Sequence, residues 1–360
     1  MIDAVDLFCG AGGLTAGMRN AGIEVYAGYD IEAQCRHAYE VNNQAAFVAQ
    51  DVKTLTKEQL EAWYPRVEGR YRLLAGCAPC QPFSTYNHGR DTSTDSKWPL
   101  LYHFARLIRQ VQPELVTMEN VPDVTKHQVY LDFVANLESQ GYKVWANRVA
   151  CVDYGLPQHR RRHVLLASKL GPIKLIEPTH RNTPITVMDM IHDLPRIAAG
   201  ECDPNDPMHR AATLTPINLE RILRSREGGT WRDWPPHLIA ECHRKASGKT
   251  YPSVYGRLKR DEPSPTMTTL CYGFGNGRFG HYEQARALSL REAAILQSFP
   301  RDYEFMPPEQ ITFKAVGRMI GNAVPVRLGE VIGESLMRHV EEYEQTRPQE
   351  IPAAVAAQAL

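Results

Sequence analysis

Over the first 170 residues, short apolar runs alternate with stretches whose apolar residues recur every three to four positions. The runs Ala4–Phe8, Val25–Tyr29, Ala46–Gln50, Tyr71–Ala75, Glu114–Met118, Lys143–Val149 and Val164–Ala167 read as strands. Several are β-branched or aromatic, and several end at Asp, Gly or Pro. Helical periodicity marks Leu14–Asn20, Glu32–Val41, Leu100–Val111 and Leu131–Gln140. Such alternation predicts an α/β fold, a mostly parallel sheet with helices on both faces. Near Gly171 the pattern changes. To about Tyr255 the chain is rich in Pro, Asp, His and Arg, with breaks such as Asp203-Pro204-Asn205-Asp206-Pro207 and Trp234-Pro235-Pro236. A smaller, irregular second domain is expected there. Helical periodicity returns at Ser289–Ser298 and Val326–Tyr343, and the tail from Arg347 is expected to fray.

Composition narrows this picture only a little. The chain has 360 residues, 43% hydrophobic and 23% charged, ordinary for a globular protein and enough for two domains or one with an insertion. No apolar run approaches the roughly 20 residues that span a bilayer, and the start, Met1–Asp6, lacks a signal-peptide pattern. A cytoplasmic location follows as an expectation, with the eight cysteines mostly free thiols. Formal net charge is zero, but residues 171–260 carry 14 Lys/Arg against 10 Asp/Glu, leaving 27 against 31 elsewhere. A local basic surplus suits a phosphate backbone.

The segment Val5-Asp6-Leu7-Phe8-Cys9-Gly10-Ala11-Gly12-Gly13-Leu14 runs from a strand through a glycine-rich turn into a helix. In an open α/β sheet, ligands sit at such turns, outside the carboxyl ends of the strands, where a helix N-terminus offers unpaired N–H groups. A dinucleotide site wants G-x-G-x-x-G, but the frame from Gly10 meets Thr15 at its third position. The other reading is S-adenosylmethionine (SAM), held by a shorter glycine loop. Asp30 closes the second strand, where an acid bonds ribose hydroxyls, and Asp51 follows the third, where one accepts from the adenine amino group. Either acid alone reads as a helix cap; two after one glycine loop favour a nucleoside cofactor.

After the fourth strand comes Gly76-Cys77-Ala78-Pro79-Cys80-Gln81-Pro82-Phe83-Ser84. Its C-x-x-C pair could be half a zinc site or a redox pair. No second ligand pair has the usual spacing, and the prolines argue for a rigid loop that fixes one thiol at the sheet's carboxyl edge. Glu119 ends the fifth strand, at that same edge. Arg160 and Arg162, after the sixth, share one face if that piece is extended.

With these residues assembled, the chain resembles the cytosine-5 DNA methyltransferases of bacterial and phage type. The matching segments are Asp6–Leu14, Pro79–Ser84, Glu119-Asn120-Val121, Gln158–Arg162, Pro263–Thr269 and Gly321-Asn322-Ala323-Val324-Pro325, in the family's order. The resemblance implies a Rossmann-like SAM-dependent methyltransferase domain (1–178 and 257–346), a target-recognition domain (179–256) and a frayed tail (347–360). It implies Cys80 as the nucleophile that adds to cytosine carbon 6, making carbon 5 reactive toward the SAM methyl. Glu119 would engage the ring nitrogen 3 edge, with its pKa raised by burial. Arg162 would contact the carbonyl oxygen, with Arg160 as its partner near the nucleophile. The cofactor site would use Phe8, Gly10, Gly12, Gly13, Leu14, Asp30, Ile31, Asp51, Val52, Pro79, Leu100, Asn322 and Ala323, and no metal.

The implied substrate is double-stranded DNA with the cytosine flipped out of the helix. A cognate restriction endonuclease would act on the same site without forming a stable complex. Arg221, Arg224, Arg226, Arg244, Lys245 and Lys249 are candidate phosphate or base contacts. The alternatives are a tRNA cytosine-5 methyltransferase, whose usual Cys-Phe-Thr signature is missing here, and an inactive DNA-binding homologue.

Overall fold

The computed structural model describes residues 1–79 and 99–347. Cys80 and the tail beyond 347 therefore lie outside the described residues. The first half contains β1 (Ile2–Leu7), α1 (Gly13–Asn20), β2 (Glu24–Asp30), α2 (Arg36–Asn43), β3 (Ala46–Ala49), α3 (Lys57–Glu61), β4 (Tyr71–Gly76), α4 (Pro99–Val111), β5 (Leu115–Asn120), α5 (Gln128–Ser139), β6 (Lys143–Ala150), β7 (Gln158–His159) and β8 (Arg161–Ser168). Beyond it come α6 (Val187–Ile191), α7 (Pro216–Arg224), α8 (Glu241–Arg244), β9 (Ser264–Pro265), α9 (Leu290–Leu296), α10 (Phe313–Asn322) and α11 (Val326–Thr346).

Seven strands form one sheet in the order β3-β2-β1-β4-β5-β8-β6. β1 to β5 pair in parallel. β1, β4 and β5 are buried along their whole length, which is why apolar residues fall on both faces of these strands rather than in strict alternation. β8 is antiparallel to both β5 and β6. The link from β6 to β8 is about ten residues, too short for a parallel crossover, so the chain turns back on itself.

Helices cover both faces, as expected. α4 and α5 pack Phe104, Leu107, Ile108 and Phe133 on one side. α1 and α11 pack Leu14, Met18, Leu328 and Ile332 on the other. The α1–α11 approach is unusually close: a Cβ on Gly17 would sit 2.3 Å from the Val326 carbonyl oxygen.

Residues 171–256 carry only the short α6, α7 and α8, 3-10 turns and an isolated bridge between Cys202 and Arg210. They hold a small apolar cluster of Ile222, Trp231, Trp234 and Leu238, which draws in Phe274 and Ala287 from beyond residue 256. α6 packs instead with α9 and α10. The chain then returns to the sheet through buried polar bonds. Gln158 donates to Leu296 O (3.1 Å) and to Gln297 Oε1 (2.7 Å), and accepts from the Met267 N–H (2.9 Å). Arg286 and Glu292, both wholly buried, form two 2.7 Å bonds.

Candidate active site

The carboxyl ends of β1, β2, β4 and β5 open into one cavity of about 410 Å³, closed from the far side by α10. At one end lies the glycine loop. Gly10 has φ +51° and gives its N–H to Asp30 Oδ2 (2.9 Å). Asp30 Oδ1 accepts from the Glu32 N–H (2.9 Å), so the carboxylate joins loop and strand and caps no helix. Asp51 Oδ1 similarly accepts from the Lys53 N–H (2.9 Å). Each carboxylate keeps lone pairs for a ligand. Phe8 lines the cavity with φ +59°, a conformation costly for an aromatic residue and concentrated at functional sites.

Leu14, Ile31, Val52, Pro79, Leu100, Asn322 and Ala323 also line this space. Ile31 is 71% exposed and presents an apolar side chain at the cavity. Gly12 and Gly13 do not line the cavity. They shape the loop from behind, Gly12 at φ +89° over Tyr303 and Asn43, and Gly13 against the Val324 carbonyl, which a Cβ would approach to 2.2 Å.

At the other end Glu119 is buried at the tip of β5, 2.8 Å from Arg162 Nε. Burial pushes its carboxyl up, and the nearby Arg162 and Arg160 oppose this without cancelling it. Arg162 also donates to the Arg161 carbonyl (2.8 Å). Arg160 is buried and gives bonds to the carbonyls of Met267 (3.1 Å), Gly321 (3.4 Å) and Ala323 (3.2 Å). Its guanidinium thus ties the returning segment and the end of α10 to the cavity wall. Asn120 donates to Ala78 O (3.0 Å), fixing the backbone two residues before Cys80. Pro79 is the last described residue before that thiol.

The structure adds residues that sequence reasoning passed over. Asp6 is wholly buried beside the cavity; burial pushes its carboxyl up to about 7 despite a hydrogen bond from Thr15 (2.8 Å). Its signal was an acid one residue before the carboxyl end of a buried strand, directly ahead of the glycine loop. From α10, Ala315, Arg318 and Met319 line the cavity, and Arg318 pairs with Glu32 (2.8 Å). Among the candidate DNA contacts, Arg221 is spent internally, bonding Leu238 O (2.8 Å) and lying over Trp234 and Tyr255. Arg226 pairs with Asp233 (3.1 Å), and Arg244 bonds Pro236 O (2.8 Å).

A mostly parallel α/β sheet with a cavity at its carboxyl edge, ending on a buried acid and an arginine, is the architecture of a Rossmann-like ligand-binding enzyme. The model of the C-5 cytosine-specific DNA methylases matches residues 2–338. The chain belongs to that family and is a DNA (cytosine-5-)-methyltransferase. It is 50% identical over 348 residues to the type II methylase M.HgiDII of Herpetosiphon aurantiacus, covering 95% of this chain and 97% of the relative. It is 32% identical to the type II methyltransferase M1.HphI of Haemophilus parahaemolyticus, covering 93% and 86%. Its fold matches a candidate DNA modification methyltransferase from an E. coli prophage with a TM-score of 0.71 at 22% identity, covering 95% of this chain and all of the other. Among the described residues, no helix is long and apolar enough to cross a membrane.

Proposed function

We propose that the cavity binds SAM and that Cys80 attacks carbon 6 of a cytosine flipped out of a specific site in duplex DNA. The observation that carries this reading is the continuity of the cavity, which joins a nucleoside-type end (Gly10 loop, Asp30, Asp51, Ile31) to an acid–guanidinium end (Glu119, Arg162). The residues present fit the cofactor. The Asp30 and Asp51 carboxylates keep lone pairs for ribose and adenine donors, and an exposed Ile31 offers an apolar face. When bound, SAM supplies an electrophilic methyl group on its sulfonium.

The protein's own residues prepare the base. Arg162 holds the cytosine carbonyl oxygen. Glu119, whose carboxyl burial pushes toward its neutral form, holds a proton at nitrogen 3 as the Cys80 thiolate adds to carbon 6 and charge moves into the ring. Carbon 5 thereby becomes nucleophilic. Once carbon 5 carries the methyl group, its proton passes to solvent water and the Cys80 thiolate is eliminated, which frees the base. Arg160 positions the backbone that closes the site.

The recognition segment, for which we retain 179–256 as the proposal, would grip the duplex while the base leaves it. By analogy with its type II relatives, the enzyme would protect a site from a cognate endonuclease. Incubation with methyl-labelled SAM and either duplex DNA or tRNA tests the reading. Label is expected in duplex DNA; label only in tRNA, or in neither, overturns it.

A further inference from the structure

Behind the glycine loop lies a bond that the reaction does not obviously use. Tyr303, from the segment after α9, is 2% exposed and donates its hydroxyl to the Ala11 carbonyl at 2.6 Å. The same oxygen accepts from Asn43 Nδ2 at 3.2 Å, and it would sit 3.1 Å from a Cβ on Gly12. Ala11 lines the cavity and lies between the two positive-φ residues Gly10 and Gly12. We propose that Tyr303 is a positioning residue for the cofactor: its hydroxyl holds the Ala11 carbonyl back and so sets the Gly10–Gly12 turn in its ligand-accepting shape.

Tyr303 is itself held in place. Its carbonyl accepts from Arg291 at 2.9 Å, and Arg291 is paired with Asp206 of the irregular region at 2.6 and 3.0 Å. The next residue, Glu304, exchanges two backbone bonds with the Asn42 side chain at 2.8 and 3.0 Å. The Tyr303 ring packs against both Phe299 and Phe305, with centroids 4.6 and 5.2 Å away. Tyr303 is thus a peg held at its carbonyl, its ring and its neighbouring backbone, and its hydroxyl adds to the few bonds that shape the turn, Gly12 N–H to Cys9 O (2.9 Å) and Gly10 N–H to Asp30 Oδ2 (2.9 Å).

The inference rests on the cavity being the SAM site. The test is Tyr303→Phe, which keeps the ring and removes only the hydroxyl. Tyr142→Phe is the control, because Tyr142 also donates a buried hydroxyl to a carbonyl, that of Pro113 at 2.5 Å, in a part of the chain outside the cavity lining. Loss of one such bond at the turn should weaken SAM binding about fivefold to tenfold. In Tyr303→Phe the change should appear in the dissociation constant and KM for SAM rather than in kcat, and Tyr142→Phe should leave SAM binding unchanged. Equal effects in both variants, or none in Tyr303→Phe, overturn the proposal. Hydrogen exchange in the unliganded chain separates the two readings. Faster exchange at residues 9–14 in Tyr303→Phe alone supports the peg even if the wild-type chain binds no SAM, an outcome that would sink the cofactor reading instead. Unchanged exchange there counts against the peg.

Discussion

Glu119 is a carboxyl held against its ordinary preference. Burial favours its neutral form, and the guanidinium 2.8 Å away keeps an ionised form within reach. A proton poised in this way suits the role we propose for Glu119, holding nitrogen 3 while the ring takes up charge. Glu119→Gln cannot release or regain that proton, and kcat should fall by about 10²-fold or more; single-turnover methylation kinetics check this. Cys80→Ser should abolish both turnover and the covalent complex with 5-fluorocytosine DNA, while SAM still binds in an equilibrium assay. Retained turnover would place the nucleophile elsewhere.

Asp6 makes a separate prediction about stability. Its carboxyl is ordinary, near 3.8, when unfolded and about 7 when folded, so the folded chain binds the extra proton. Its contribution to stability is fully present below 3.8 and is lost as pH rises through 7. Urea midpoints should decline over that window, and Asp6→Asn should flatten the decline.

At the level of elements, close backbone approach and buried charge do most of the positioning. α1, which follows the glycine loop, lies against α11 through Gly17. Gly17→Val would push the helices apart and shift the loop; the expected result is a cost of about 1–3 kcal/mol together with weakened SAM binding. A thermal melt and a binding titration check the two effects. In the returning segment, Glu292 lies well below the usual carboxylate range, at about 2. Burial works against this and is outweighed by the Arg286 bonds and charge. Glu292→Ala would strand a buried guanidinium at a cost of about 3–5 kcal/mol, measurable by denaturant unfolding.

Elements also show where sequence reading stops. β1 to β5 and the helices α1, α2, α4 and α5 were legible because apolar runs and 3.6-residue periodicity report burial directly, whereas the five-residue α3 is too short to show a period. The antiparallel insertion of β8 between β5 and β6 was not, because strand order depends on pairing partners and not on composition. α10 was missed because Gly317 and Gly321 weaken its helical signal. Both glycines are used for contact, Gly321 against Thr269 and Gly317 against Tyr272.

In the whole molecule, a cavity and an irregular, modestly basic segment share one chain of zero net charge. Duplex binding would then depend on local cations. Raising salt from 50 to 200 mM should lower DNA affinity at least about tenfold, with little effect on SAM affinity. A salt-independent DNA constant would argue against a phosphate-gripping surface. Several cations offered by the sequence, Arg221 above all, are engaged within the fold. Arg224, Lys245 and Lys249 remain better candidates for substitution.

The sequence alone determined the α/β class, the glycine loop and the order of the chemical residues, since each is written in local pattern and spacing. Only the tertiary structure decided that Glu119 and Arg162 are in contact, that Arg160 binds backbone, that Gly12 and Gly13 shape the loop from behind, and that Asp6 and Tyr303 stand beside it. These are relations between residues up to 292 positions apart. They arise from packing and from desolvation in a shared cavity, which no local window of sequence can report.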